Sequence, residues 1–327
     1  MSELLVALLR NDAPPPGDAD PRWPEALALA ARHGIAPLLH ATVQGLPPGA
    51  TAGLRRERTT ALRESLWREP GLRRALEALP DAVVLKGAAW ASELYESPEL
   101  RPCADIDLLH PTARDLPSYA WHPHPGVRAQ EARPGWHERT FIDPRDPRVV
   151  IDLHTAFSQR ERTAVDVAEL CARARPGRLG FRVLDPDDAV LAQALSLATH
   201  ELRSPLIAVV DFARLWRRCN PAIVRARAQQ YRVCGALWAA LRLLSRCAGD
   251  AGQFGGVAVE PALRVELGFF ARLMLRWTVS RYDLSRRQPG RVEQLLRKTF
   301  FIDRPRDRVR FALAEARRRV AAGLSRG

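Results

Sequence analysis

Between residues 81 and 157 the chain leaves the helical rhythm that governs it on both sides, and this window constrains the fold most. Ala82-Val-Val-Leu-Lys86 is short, apolar and β-branched, which predicts a buried strand. Gly87 breaks it, and 88–95 has helical spacing up to a stop at Ser97-Pro98. Asp105-Ile-Asp-Leu-Leu109 predicts a second strand, halted by Pro111. Residues 136–142 and 148–154 predict two more, joined as a hairpin by Asp143-Pro-Arg-Asp-Pro147. Residues 117–135 hold many prolines and histidines and read as loop, with one further strand at 127–133.

The flanks are helical. Before the window, helices at 23–33, 35–43 and from about 50 to Trp67 are separated by the Pro-rich breaks Asn11-Asp-Ala-Pro-Pro-Pro-Gly17 and Gly45-Leu-Pro-Pro-Gly49. After it, helices are expected at 186–201, 205–218, 221–247, 261–285, 290–300 and 305–322. The expected fold class is α+β: an N-terminal helical segment (1–80), a small mixed-sheet core (81–157) and a C-terminal helical domain (158–327).

Composition narrows the function classes. With 327 residues and 46% hydrophobic content the chain can bury a full core. No uninterrupted apolar run approaches the ~18 residues of a membrane span, so no membrane partner is expected. The N-terminus, with an early Glu3 and no basic start, reads as an amphipathic helix and not as a signal peptide. Five scattered cysteines without a C-x-x-C pair fit a reducing cytoplasm and offer neither a disulfide framework nor a zinc knuckle. The net charge of +13 invites a nucleic-acid reading. However, the basic residues are arginines apart from Lys86 and Lys298, a skew expected of a GC-rich coding sequence. Many sit at helical spacing beside acids, and no recognition motif accompanies them, so nucleic acid is not the favoured partner. In a chain that almost always uses Arg, a lysine at 86 suggests a need for a compact, flexible ammonium.

The chemistry-bearing residues cluster in the sheet window. Residues two apart on a strand share a face, so the Asp105 and Asp107 carboxylates converge. Converging carboxylates repel one another unless a cation lies between them, and Mg²⁺ shared with substrate phosphates resolves that conflict. Asp152 interrupts the apolar strand Val149-Val-Ile-Asp-Leu-His154 and could complete a three-carboxylate cluster. Asp143 and Asp146 compete for that role but sit in a Pro-bounded turn, where Asp is common for turn reasons. Lys86-Gly87 at a strand-to-helix turn suits an anion, Arg101 suits a phosphate or carboxylate clamp, and His154 could orient a metal-bound carboxylate. The loop histidines, Cys103 without a dedicated base, and His200 and Asp211 on predicted helices are read as structural.

Leu85-Lys-Gly-Ala-Ala-Trp-Ala-Ser-Glu-Leu-Tyr95, Leu100-Arg101, Asp105-Ile-Asp-Leu-Leu109 and Ile151-Asp-Leu-His154 together resemble an uncharacterised bacterial nucleotidyltransferase family of the DNA polymerase beta-like superfamily. The later stretches Leu184-Asp-Pro-Asp-Asp to His200 and Val209-Val-Asp-Phe-Ala-Arg-Leu215 extend that similarity over roughly 80–250. The resemblance implies a phosphate turn at Gly87, metal ligation by Asp105, Asp107 and Asp152, and two Mg²⁺ (or Mn²⁺) ions. It further implies transfer of an NMP from an NTP such as ATP to an unidentified hydroxyl acceptor (small molecule, peptide or protein), with release of pyrophosphate. One departure stands out. The superfamily's glycine is usually followed by Ser, whereas Ala88 follows Gly87, leaving Lys86 to supply the phosphate contact. Two rivals share the fold: a catalytically degenerate nucleotide- or partner-binding module, and an enzyme adding nucleotides to an RNA end.

Overall fold

Every residue of β1 (Val83–Leu85) and β2 (Ile106–Leu109) is buried, as short apolar strands inside a sheet should be. They pair antiparallel, with Leu85 opposite Asp107. The structure, a computed structural model, describes residues 3–116, 122–123, 137–158, 162–247, 269–280, 293, 297–299 and 301–324. The mixed sheet also contains β3 (His122–Pro123), β4 (Glu138–Ile142), β5 (Val150–His154), β6 (Arg175–Pro176) and β7 (Arg182–Val183). Its order is β3-β4-β5-β2-β1-β7-β6. The β4–β5 hairpin forms as expected. In its turn the Asp143 and Asp146 side chains accept from the Arg145 and Arg148 backbone N–H groups, the local bonding for which turns select Asp. β5 then runs parallel to β2.

Helices α1 (Glu3–Arg10), α2 (Trp23–Arg32), α3 (Ala36–Thr42) and α4 (Pro48–Ala78) precede the sheet, and α5 (Lys86–Leu94) links β1 to β2. After β5 come α6 (Val167–Arg173), α7 (Pro186–Thr199), α8 (Leu206–Trp216), α9 (Pro221–Tyr231), α10 (Cys234–Cys247), α11 (Phe269–Ser280) and α12 (Pro305–Leu324). The α+β class is as the sequence predicts. None of the described helices is long and apolar enough to cross a membrane.

Three elements differ from expectation, each for a tertiary reason. α4 continues through Pro70 to Ala78 instead of ending near Trp67. Beyond the proline, Leu72 and Ala75 are buried and Gly71 lies hard against Val149, so packing carries the helix past its breaker. The single helix expected over 221–247 is two, broken at Arg232 with φ +58°. The second is started from afar: Asp303 accepts from the N–H groups of Cys234 (2.8 Å) and Gly235 (2.7 Å), acting as a cap. Finally, β6 and β7 form an edge hairpin in a stretch read as helical. Gly180 at φ +84° turns it, and Glu93 of α5 holds it through Arg175 (3.0 Å) and the Arg178 N–H (2.6 Å). The strand expected at 127–133, parts of the helices expected at 261–285 and 290–300, and His124 lie outside the described residues.

The helices pack against the sheet and hold α5 in place. One continuous apolar cluster runs from Leu4 to Phe301. Within it, buried Gln193 on α7 accepts from Trp90 Nε1 of α5 (3.0 Å) and donates to the Ala208 carbonyl of α8 (2.8 Å). That bond pair ties α5, and therefore its first residues, to the helical layer.

Candidate active site

The strand register collects the acids. Asp107 lies directly beside Asp152 across the parallel β2–β5 pair, so the two side chains share a sheet face. Asp105, two residues before Asp107, leads into the same strand. On β4, Thr140 stands opposite Asp152 and Glu138 opposite His154. The sheet face thus carries Asp105, Asp107, Asp152, His154, Thr140 and Glu138.

Lys86 follows β1 directly and begins α5 with φ +39°, a left-handed backbone that costs a non-glycine residue about 1–2 kcal/mol. Its ammonium lies 2.8 Å from Asp107 Oδ1. His154 Nε2 lies 2.8 Å from the same oxygen, and its Nδ1 is 3.6 Å from Glu138 Oε2. Thr140 Oγ1 donates to Asp152 Oδ1 at 2.7 Å.

The charges divide the carboxylates sharply. Burial works to raise Asp107, but Lys86 and His154 outweigh it and hold this carboxyl well below its ordinary range. Asp105 is pushed up to about 6 by burial and by the charges of Asp107 and Asp152. Asp152 is raised by burial, against the Thr140 hydrogen bond, with Glu138 and Asp107 adding to the rise. Burial opposes the Lys86 ammonium, yet Asp107, Asp105 and Glu138 together keep it charged. His137, at the foot of β4, is lowered to about 4 by burial and by the nearby His154, Arg162 and Lys86.

Gly87 and Arg101 stand slightly apart. Gly87 is buried, and a Cβ there would come within 2.5 Å of Cys103 Cβ and 3.2 Å of Arg101 Nη1. The close approach that requires glycine is therefore to the chain's own 101–103 segment. Arg101 gives Nε (3.1 Å) and Nη2 (2.7 Å) to Asp211 Oδ2 and Nη1 to the Pro102 carbonyl (2.9 Å). Fully buried Asp211 also accepts from Tyr95 Oη at 2.8 Å, so it serves as a structural bolt between α8 and the turn. Arg101 still lowers Asp105 through its charge, while its hydrogen bonds go elsewhere. Burial pushes the Cys103 thiol up, away from nucleophilic use. His110 accepts backbone N–H bonds from Thr112 and Ala113, a turn role.

The model of a family of uncharacterised nucleotidyltransferases matches residues 19–249. This chain belongs to that family. No curated protein and no solved structure matches it. The family match takes in the whole acid-bearing face, together with the helices from α2 to α10 that support it.

The residues present fit a divalent cation in their chemistry. Three carboxylates crowd one face, and two of them are driven toward protonation partly by the others' charge, a conflict that a hard cation relieves. In the present arrangement Lys86 is the cation on Asp107, and among the described residues no three His, Cys, Asp or Glu side chains converge closely enough for a metal shell. Sequence reasoning missed Glu138 and Thr140. Their alternation on a strand already expected at 136–142 was the available signal.

Proposed function

We propose that this nucleotidyltransferase-family protein moves an NMP from an NTP to a hydroxyl acceptor with release of pyrophosphate, using Asp105, Asp107 and Asp152 to hold two Mg²⁺ or Mn²⁺ ions. The observation that carries the reading is the side-by-side register of Asp107 and Asp152, with Asp105 raised to about 6 beside them. Mutually repelling buried acids are costly to keep and are retained where a cation is to be bound. When bound, the ions supply neutralisation of the triphosphate and of the departing pyrophosphate. Lys86 and His154 keep Asp107 ionised. Thr140 fixes one oxygen of Asp152, and Glu138 steadies the far nitrogen of His154. The ammonium of Lys86 and the N–H groups at the start of α5 offer positive charge to the phosphates, a role the wider superfamily gives partly to a serine hydroxyl. Arg101, bolted to Asp211, holds the 101–103 segment against Gly87.

One observation favours a second reading, a nucleotide- or partner-binding module without turnover. Lys86 and His154 both hydrogen-bond to Asp107 Oδ1, so this oxygen is engaged before any cation arrives.

The two readings part in a single assay. The protein is incubated with each NTP and Mg²⁺, and pyrophosphate and mass increases are followed on candidate acceptors, on the protein itself and on RNA. Pyrophosphate release that disappears in Asp105→Asn/Asp107→Asn is the expected result. NTP binding without release supports the binding module, and transfer only onto RNA identifies an RNA-end enzyme. Turnover unchanged in the double variant sinks the proposed site.

A further inference from the structure

A cavity of about 310 Å³ opens where α7 ends, lined among others by Thr199, Glu201, Arg203, Ser204 and Lys298. None of its described lining residues belongs to the sheet or to the acid-bearing face. The chain makes two successive left-handed turns to build it: Glu201 has φ +56° and Leu202 φ +60°. Helix-terminating bonds from Glu201 N–H to the Ala198 carbonyl (2.9 Å) and from Leu202 N–H to the Leu197 carbonyl (2.8 Å) hold this shape, at a position where glycine is the usual residue. Glu201 is only 3% exposed and Ser204 6%, yet Glu201 Oε2 and Ser204 Oγ have no hydrogen-bond partner among the described residues. Leaving such atoms unmatched costs about 1–3 kcal/mol each.

The cavity carries both signs of charge. Lys298 Nζ lies 3.7 Å from Glu201 Oε1, an ion pair too loose to be a hydrogen bond. Arg203 adds a second basic side chain to the lining. Buried Arg162 has its guanidinium pulled down to about 10 by burial, with the charges of Glu201 and Glu315 resisting that fall. An anion alone would be set against the buried Glu201 carboxylate, and a cation alone against Lys298 and Arg203. A molecule bearing an ammonium and a carboxylate a few bonds apart satisfies the pair. Both lysines of the chain face a buried carboxylate, Lys86 in a 2.8 Å hydrogen bond to Asp107 and Lys298 in the looser 3.7 Å ion pair with Glu201.

We propose that this cavity binds a small zwitterion of the α-amino-acid class. The ligand's ammonium donates to Glu201 Oε1, the carboxylate oxygen on the Lys298 side, and its carboxylate accepts from Lys298 Nζ. The proposal is independent of nucleotidyl transfer and holds or fails on binding alone.

The test is calorimetric titration of the full chain with the twenty proteinogenic L-amino acids. The best binder is then compared with its decarboxylated amine and its deaminated acid. At least one amino acid is expected to bind, and each half-molecule to bind roughly tenfold more weakly or less, the effect of losing one charge-assisted hydrogen bond. Lys298→Met should weaken binding by a similar factor. Its side chain is 29% exposed, so this variant remains informative even where Glu201→Gln disturbs folding. Binding of no amino acid, equal binding of either half-molecule, or unchanged affinity in Lys298→Met overturns the proposal.

Discussion

Asp105→Asn is expected to stabilise the metal-free protein, although it removes a residue placed at the heart of the site. Burial and the charges of Asp107 and Asp152 raise Asp105 from 3.8 to about 6 in the folded chain. A rise of two units corresponds to an upper bound of about 3 kcal/mol against folding once the group is ionised. Partial solvent access and the cost of burying an amide instead reduce the expected gain to about 1–2 kcal/mol. The sign follows from proton binding. Between pH 3.8 and about 6 the folded state holds more protons than the unfolded state, so the wild-type penalty grows as pH rises through that window and is complete above it. His137 works in the opposite sense: its ring is lowered from 6.5 to about 4, so its contribution to stability grows as pH rises over nearly the same range. The informative quantity is therefore the difference between variant and wild type, in which the His137 contribution cancels. Urea unfolding in the presence of EDTA, from pH 4 to 8, should show a gain for the variant at pH 8 that shrinks toward zero at pH 4. Equal or lower stability of the variant at pH 8, or a gain that ignores pH, refutes the reasoning. Excess Mg²⁺ should then stabilise the wild type more than the variant, since only a ligand of the folded state shifts that balance.

Two further substitutions probe the supports of the site. Gly87→Ala places a methyl group 2.5 Å from Cys103 Cβ, an overpacking that should cost about 1–3 kcal/mol in chemical denaturation. Cys103→Gly in the same chain should recover most of that loss, whereas no recovery would mean the clash is not the cause. Asp211→Asn leaves the 11%-exposed Arg101 side chain without its carboxylate and weakens the Tyr95 bond, for an expected loss of about 3–5 kcal/mol. A change below about 1 kcal/mol there would show that the Arg101–Asp211 bolt is dispensable.

The acids of the site were legible because strand chemistry is local. Alternation alone places Asp105 and Asp107 on one face, and an acid inside Val-Val-Ile-Asp-Leu-His marks Asp152 as costly unless used. The partners of Arg101 were not legible, since Asp211 is separated from it by more than a hundred residues of chain and meets it only through the packing of α8. Glu138 was half legible: its strand was expected, but which face it shares depends on the β4–β5 register. Gly87 was expected to serve an anion at the strand-to-helix turn, whereas the close approach seen there is that of Cys103, which depends on the path of the 101–103 segment.

By itself, then, the sequence determined the α+β class, the central strands and the two aspartate positions, because hydrophobic periodicity and turn chemistry act over a few neighbouring residues. Only the tertiary structure decided that α4 runs through Pro70, that a distant Asp303 starts α10, and that Lys86 and His154 share one oxygen of Asp107. Those outcomes rest on contacts between residues far apart in the chain. Burial energy and electrostatics at such contacts override local preference, and no local pattern encodes them.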